Sequence, residues 1–396
     1  MNINRITPKV TYCGVNDRTK PLFENLWELP NGVTYNSYFV QGDKYSAIID
    51  ASDSGHATGF IKHISDLLGD TAPDYLVINH IEPDHSGAIP MLKSKYPDIK
   101  IVGNAKTTDM LRGFYGIEDN IIQITDGETI DLGNCHLKFL LTPMVHWPET
   151  MVTYFEEDKV LFSGDAFGCF GALNGAVIDE QMDTTLYFQE AYRYYACIVA
   201  KYGQFVQKMF EKVSSLPIDY ICSTHGPVWH TQRQDIGNLY GKMAKWDGEK
   251  GVVIAYGSMY GNTTEMAEAL ASKLADGGVK NIRLYDVSYT PQSRILADIM
   301  RFKGLVLTSP TYNAEIFPPV ESLLTAILER GVKNRIIGLG GSFSWGSQAA
   351  RKMAAKLAEK PVTLLSPTPQ LKQANQAMVE AEVSQLASDM ISALEN

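Results

Sequence analysis

Asn79-His80-Ile81-Glu82-Pro83-Asp84-His85-Ser86-Gly87 packs two imidazoles and two carboxylates into six residues, directly after the apolar run Tyr75-Leu76-Val77-Ile78. Ionisable groups this dense at the end of a buried strand require a metal or charged partners. His80, Glu82 and Asp84 are spaced two apart, so a loop leaving the strand can fan them toward one point, and Pro83 stiffens that loop. Three further donors occupy equivalent places: His146 after Leu140-Leu141-Thr142-Pro143, Asp165 after Val160-Leu161-Phe162-Ser163-Gly164, and His225 after Tyr220-Ile221-Cys222-Ser223-Thr224. Four histidines (His80, His85, His146, His225) and three carboxylates (Glu82, Asp84, Asp165) exceed what one metal needs. They suit two metals that share one carboxylate and keep open positions for substrate. His56, His63, His136 and His230 stand singly and read as hydrogen-bonded structural residues.

A second set of residues lies near the other end of the chain. The apolar run ending at Tyr256 is followed by Gly257-Ser258-Met259-Tyr260-Gly261-Asn262-Thr263-Thr264-Glu265 and then a helical pattern. Backbone N–H groups and hydroxyls at a helix N-terminus make a phosphate pocket that needs no cation. The loop has no G-x-x-x-x-G-K-[ST], which disfavours a nucleoside triphosphatase, and no G-x-G-x-x-G with a following acid, which disfavours NAD. Ser309-Pro310-Thr311-Tyr312-Asn313 and Gly340-Gly341-Ser342-Phe343-Ser344-Trp345-Gly346 follow two later strands. They add aromatics and backbone groups suited to a flat heterocycle.

The elements that must position these residues differ between the two halves. Up to about Tyr220, near-continuous apolar runs (45–50, 75–80, 137–141, 160–165) read as strands buried on both faces, with helices such as 58–68 and 186–213 between them. This predicts a layered α/β sandwich with helices outside. From Lys250, five strands near 251–256, 282–285, 304–308, 335–339 and 362–365 alternate with helices, the pattern of an open doubly wound parallel sheet. The tail 372–395 reads as a closing helix. Trp246-Asp247-Gly248-Glu249-Lys250 is the expected joint, giving domains 1–248 and 249–396.

Composition narrows the class. The 396 residues are 45% hydrophobic, enough for two domains with their own cores. The formal charge of −10 lacks the basic footprint of a nucleic-acid binder and argues against docking on anionic membranes. No apolar run approaches the ~20 residues of a spanning helix. Residues 1–8 do not read as a signal peptide. Five scattered cysteines without a C-x-x-C pair exclude zinc ribbons, disulfide scaffolds and a fused rubredoxin-type centre. A cytoplasmic protein is expected.

The first set of residues resembles the metallo-β-lactamase superfamily, whose signature is H-x-H-x-D-H followed by single His, Asp and His ligands. Glu82 stands where the hydrolases carry a histidine. That exchange makes the donor set harder and more negative, moving preference from zinc toward iron or manganese. The second set resembles the flavodoxin family, with Tyr260 where simple flavodoxins usually have Thr. That resemblance implies FMN held by Ser258, Met259, Tyr260, Gly261, Asn262 and Thr263, by Pro310, Thr311, Tyr312 and Asn313, and by Gly341, Ser342, Phe343, Ser344, Trp345 and Gly346.

In this order the two halves resemble the flavodiiron proteins over the whole chain. The resemblance implies an N-terminal metallo-β-lactamase-like αββα sandwich followed by a flavodoxin-like five-stranded parallel sheet. It implies reduction of O2 to water, of NO to N2O, or both, at two non-haem irons fed by FMN. His80, Glu82, His146 and Asp165 would hold one iron, and Asp84, His85, Asp165 and His225 the other, with Asp165 bridging. In some members the residue matching His85 is not a ligand. The family also implies a head-to-tail homodimer or dimer of dimers, and a separate electron donor, either a rubredoxin-like protein or a flavin- or deazaflavin-linked reductase. The rivals are a zinc-dependent hydrolase with a flavodoxin-like accessory domain and a non-enzymatic electron carrier. Glu82 argues against the first and the seven-ligand set against the second.

Overall fold

A computed structural model of the protein describes residues 5–395; of the 1–8 stretch, residues 1–4 lie outside it. The chain forms two compact units. The first takes the described chain up to Tyr194 together with Tyr202–Gly241, and the second takes Tyr195–Lys201 with the chain from Lys242 onward.

The first unit is built on two mixed sheets. One has six strands in the order Val10–Tyr12, Tyr38–Gln41, Ser46–Ile49, Tyr75–Val77, Lys100–Gly103, Ile121–Gln123. The other has five, Thr129–Asp131, His136–Leu141, Met151–Phe155, Val160–Gly164 and Tyr220–Ser223. Ser46–Ile49, Tyr75–Val77, Met151–Phe155 and Val160–Gly164 are buried at every position, which is why they read as continuous rather than alternating runs. Tyr38 packs on Phe162 of the other sheet at 5.3 Å between ring centroids, and its hydroxyl donates to the Ser223 carbonyl at 2.6 Å. Helix Ala57–Leu68 buries Ala57, Phe60, Ile61, Ile64 and Leu68, the stripe expected of a helix lying on a sheet. This is the α/β sandwich, helices included, that the apolar runs predict.

The expected helix 186–213 is not continuous. It comprises Thr185–Tyr194, a π turn at Tyr195–Val199, a 3₁₀ turn at Ala200–Tyr202 and a second α-helix, Gly203–Val213. Arg330 donates to the carbonyls of Ala196 and Cys197, diverting acceptors that an unbroken helix would use itself. The π turn packs against helix Gln292–Arg301 and belongs to the second unit.

The second unit has a parallel sheet in the order Ile282–Asp286, Glu249–Tyr256, Phe302–Tyr312, Ile336–Phe343, Thr363–Leu364. The last position continues as Gln370–Lys372, also parallel to Ile336–Phe343. This is the doubly wound arrangement expected, extended by a short antiparallel hairpin at Glu315–Ile316. Helix Asn262–Asp276 buries Met266, Ala267, Leu270 and Leu274 in the same core as Leu386 and Met390 of the closing helix Glu380–Glu395. No helix among the described residues is long and apolar enough to cross a membrane.

Candidate metal centre and flavin cradle

In the first unit, strand Tyr75–Val77 delivers Asn79 and His80 to its C-terminal end. Asp50, just past strand Ser46–Ile49, pins that turn. Its Oδ1 accepts the Asn79 and His80 N–H groups at 2.7 and 3.3 Å, and its Oδ2 accepts the Asn79 side chain at 3.0 Å. Burial outweighs these bonds and pushes the Asp50 carboxyl up to about 6. Glu82 then precedes the one-turn helix Pro83–Ser86, which has Pro83 at its first position and turns Asp84 and His85 inward.

The seven predicted donors form two buried groups, His80 with Glu82, His146 and Asp165, and Asp84 with His85 and His225. Within each group the donor atoms lie within 4.8 Å of one another. Glu82 Oε2 is 3.1 Å from His80 Nε2 and 3.2 Å from His146 Nε2. Asp84 Oδ2 is 3.2 Å from His85 Nε2 and 3.3 Å from His225 Nε2. Asp165 turns one oxygen to each group: Oδ2 lies 3.1 Å from His146 Nε2, and Oδ1 lies 3.0 Å from His85 Nε2. Thr224 fixes that carboxylate by donating to Oδ1 at 2.6 Å.

Electrostatics follows from the packing. Burial disfavours the imidazoliums of His85 and His146, and the facing carboxylates overcome it. For His85 these are Asp84 and Asp165, for His146 Asp165 and Glu82, and each is raised to about 9. Burial likewise opposes ionisation of Glu82 and Asp165, and the surrounding imidazoles hold both below the usual carboxylate range.

The donor set passes a test for metal binding. Both Asp84 oxygens and the Nε2 atoms of His85 and His225 are buried with no hydrogen-bond partner. Buried polar atoms left without hydrogen-bond partners are costly, and a cation held among them relieves that cost. The donors are all nitrogen and oxygen, with carboxylates in both groups, which suits iron or manganese better than a thiophilic ion.

Two supporting residues escaped the sequence reading. Asp50 was legible only as the polar end of a buried strand. Glu149 sits in Trp147-Pro148-Glu149-Thr150, which reads as loop, yet it is buried and its Oε1 accepts from His80 Nδ1 at 2.7 Å and from the Ile81 N–H at 3.1 Å. Of the four histidines read as structural, His56 bonds Asp17, His63 bonds the Cys13 carbonyl, His136 bonds Glu157 and His230 bonds the Asp219 carbonyl. All lie outside the two donor groups.

In the second unit the three predicted loops meet at the C-terminal ends of the parallel strands. Gly261, at φ 92°, caps helix Asn262–Asp276, a backbone conformation that favours glycine. Ser258 accepts from the Gly261 N–H, and Thr263 shares a 2.8 Å hydroxyl contact with Ser342. One pocket is lined by Ser258, Met259, Tyr260, Asn262 and Thr263, by Pro310 and Thr311, by Ser342, Phe343 and Ser344, and by Gln373, which the sequence reading missed. Gln373 arrives from beyond strand Gln370–Lys372 with a positive φ, and nothing in its neighbours signals this. Gly261, Tyr312, Asn313, Gly341, Trp345 and Gly346 are not part of that lining. Gly341 is a packing position, where a Cβ would meet the Gln370 side chain at 2.8 Å. Trp345 stands 95% exposed and Tyr312 43%, leaving flat apolar surfaces without cover beside the pocket. Neutral donors at a helix N-terminus, flanked by exposed rings, fit a phosphorylated flat heterocycle.

Comparison with known proteins agrees with this division. Residues 33–226 match the ODP family beta lactamase profile, and residues 254–385 match Flavodoxin. The chain is 30% identical over 338 residues to a nitric oxide reductase of Moorella thermoacetica, covering 85% of this chain and 84% of that one. It is 31% identical over 331 residues to an anaerobic nitric oxide reductase flavorubredoxin of Escherichia coli, covering 82% and 69%. Among solved structures it superposes on the rubredoxin oxygen:oxidoreductase of Desulfovibrio gigas with a TM-score of 0.94 at 27% identity, covering 100% and 99% of the two chains. A variant of the flavo di-iron protein of Thermotoga maritima gives 0.91 at 29% identity, covering 99% and 98%. With both halves matched in order and the relatives aligned over most of their length, the chain belongs to the flavodiiron proteins.

Proposed function

We infer that the protein is a flavodiiron oxidoreductase that reduces O2 to water, NO to N2O, or both, at two non-haem irons with electrons relayed through FMN. The observation that supports this most is Asp165, one oxygen toward each buried donor group. A shared carboxylate between two such groups is what a two-metal site requires. His80, Glu82, His146 and Asp165 would hold one iron, and Asp84, His85, His225 and Asp165 the other. The FMN contacts are assigned to Ser258–Thr263, Pro310–Asn313 and Gly341–Gly346. The functional division is placed at 248/249.

When bound, two ferrous ions and reduced FMN supply four electrons, which with four protons takes one O2 to two waters, while two electrons and two protons take two NO to N2O and water. The chain's own residues do the rest. Asp165 and the imidazoles around it would hold the two metals side by side, so that two reacting atoms would be brought together with the encounter entropy removed in advance. Glu82, Asp84 and Asp165, all buried, would balance metal charge in a nest that excludes bulk water. Trp147 stands edge-on to His80 at 5.3 Å and walls one side. The zinc-hydrolase alternative would want a neutral imidazole where Glu82 places an anionic oxygen and gives the flavodoxin-like half no task. A separate redox protein would deliver electrons to the flavin, and a head-to-tail homodimer in the cytoplasm would bring one subunit's flavin to the other's irons.

Purified protein from iron- and riboflavin-supplemented cells is expected to carry about two irons and one FMN per chain. Consumption of O2 and of NO by the chemically reduced protein, measured side by side, is expected for at least one gas. A colourless protein with stoichiometric zinc and neither activity would overturn the reading.

A further inference from the structure

The two donor groups are alike in what faces the metal positions and unlike in what stands behind them. His80 and His225 each present Nε2 inward and are held from the rear through Nδ1. Behind His80 the acceptor is Glu149 Oε1 at 2.7 Å, a side chain 1% exposed. Behind His225 it is the Thr34 backbone carbonyl at 2.6 Å, a neutral group. His85 Nδ1 has no hydrogen-bond partner at all. The bond lengths are nearly equal, so the difference is one of charge rather than of fit.

Glu149 is arranged to spend its charge on His80. Its Oε1 takes the Nδ1 proton and the Ile81 N–H, while its Oε2 is buried without a partner. The backbone behind it is anchored by Asn104, whose side-chain amide donates to the Glu149 carbonyl at 2.5 Å. A carboxylate behind a ligating imidazole fixes its tautomer and makes the inward nitrogen a stronger donor. A stronger donor stabilises the more highly charged state of the ion it holds.

We propose that Glu149 is a positioning residue that, through His80, makes the two irons unequal. The iron held by His80, Glu82, His146 and Asp165 has the lower reduction potential. The first electron added to the oxidised pair, whether from reduced FMN or from dithionite, converts iron(III) to iron(II) on the Asp84–His85–His225 side. The inference rests on the diiron reading above.

The test is Glu149→Gln in the full-length, iron- and FMN-loaded protein. The amide oxygen of Gln can still accept from Nδ1–H and from the Ile81 N–H, so the fit remains while the charge goes. Iron and FMN content, a dithionite titration followed by electron paramagnetic resonance, and ⁵⁷Fe Mössbauer spectra are read on each protein. The wild type is expected to reduce its irons in two separate one-electron steps. In Glu149→Gln the lower step moves to higher potential and the other stays, so the gap narrows, and iron affinity falls about tenfold. Glu149→Asp, which keeps the charge, retains the gap. A Glu149→Gln protein with both irons and unmoved steps overturns the proposal, as does an equal shift of both steps. Loss of iron from both variants with FMN retained would make position 149 a space-filling one and also overturn it. A wild type that holds no iron pair would defeat the diiron reading, and this proposal with it.

Discussion

The metal nest and the flavin cradle solve the same problem, a ligand-sized gap at the C-terminal ends of strands, by opposite means. The nest is made of ionisable groups that are already buried: seven side chains, none more than 8% exposed, gathered into two groups whose donor atoms lie within 4.8 Å of one another. The cradle is made of backbone, hydroxyls and rings, with Thr263 and Ser342 buried and Trp345 and Tyr260 standing almost fully in solvent. The contrast teaches where each half carries its cost. Charges buried together must remain together, because removing one partner leaves the others uncompensated. Neutral donors at a helix N-terminus carry no such debt, and their loss is felt only through the ligand.

That contrast sets the sizes of the effects of substitution. The largest is expected for Asp165→Ala, because Asp165 alone serves both donor groups and holds His146 and His85 at 3.1 and 3.0 Å. Iron content should fall from about two per chain to near zero and gas consumption with it, while FMN stays bound. Metal analysis beside the flavin absorbance checks this. Loss of only one iron would show that the groups are independent and would break the comparison as drawn. Thr263→Ala should act in the other half and more gently. It removes one hydroxyl that contacts Ser342 at 2.8 Å and faces the pocket, so FMN affinity should fall about tenfold with the irons intact. Equilibrium dialysis of the flavin measures it, and unchanged affinity would remove Thr263 from the phosphate site.

The same contrast explains how much of the molecule is legible in its sequence. The seven candidate ligands were legible because carboxylate and imidazole at the ends of buried strands have few other uses, and the density from His80 to His85 is itself a signal. The doubly wound sheet was legible because its strands and helices alternate with clear periods. What escaped was contact made across the fold. Glu149 lies 69 residues from His80, and its own neighbours announce only a turn. Gln373 reaches the pocket at the strand ends of the second unit through a strand extension that no local pattern marks. The break in the helix after Tyr194 is met by Arg330, which bonds the Ala196 carbonyl from 134 residues away. Single-chain patterns report what a segment does to itself, and these three features depend on what a distant segment does to it.

The smallest effect expected concerns a charge in the metal-binding half that touches no proposed ligand. Asp17 ends strand Val15–Asp17, which pairs with Val33–Tyr35, the strand whose Thr34 carbonyl holds His225. Its Oδ1 accepts the N–H groups of Thr19 and Lys20 at 2.8 and 2.9 Å, and its Oδ2 meets His56 Nε2 at 2.9 Å. Burial would raise this carboxyl, but the bonds from His56, Thr19 and Lys20 outweigh it and bring it down to about 2. A carboxyl lower in the folded than in the unfolded chain stabilises the fold above its ordinary value near ~3.9. That contribution is lost as the pH falls from there toward 2. Asp17→Asn should therefore cost about 1 kcal/mol at neutral pH and less as acid is added, after allowance for solvent screening. Denaturant unfolding at pH 7 and at pH 3, followed by tryptophan fluorescence, gives the two values. An equal loss at both would mean that Asp17 holds the ribbon by hydrogen bonding alone and that its charge adds nothing to the stability of the fold.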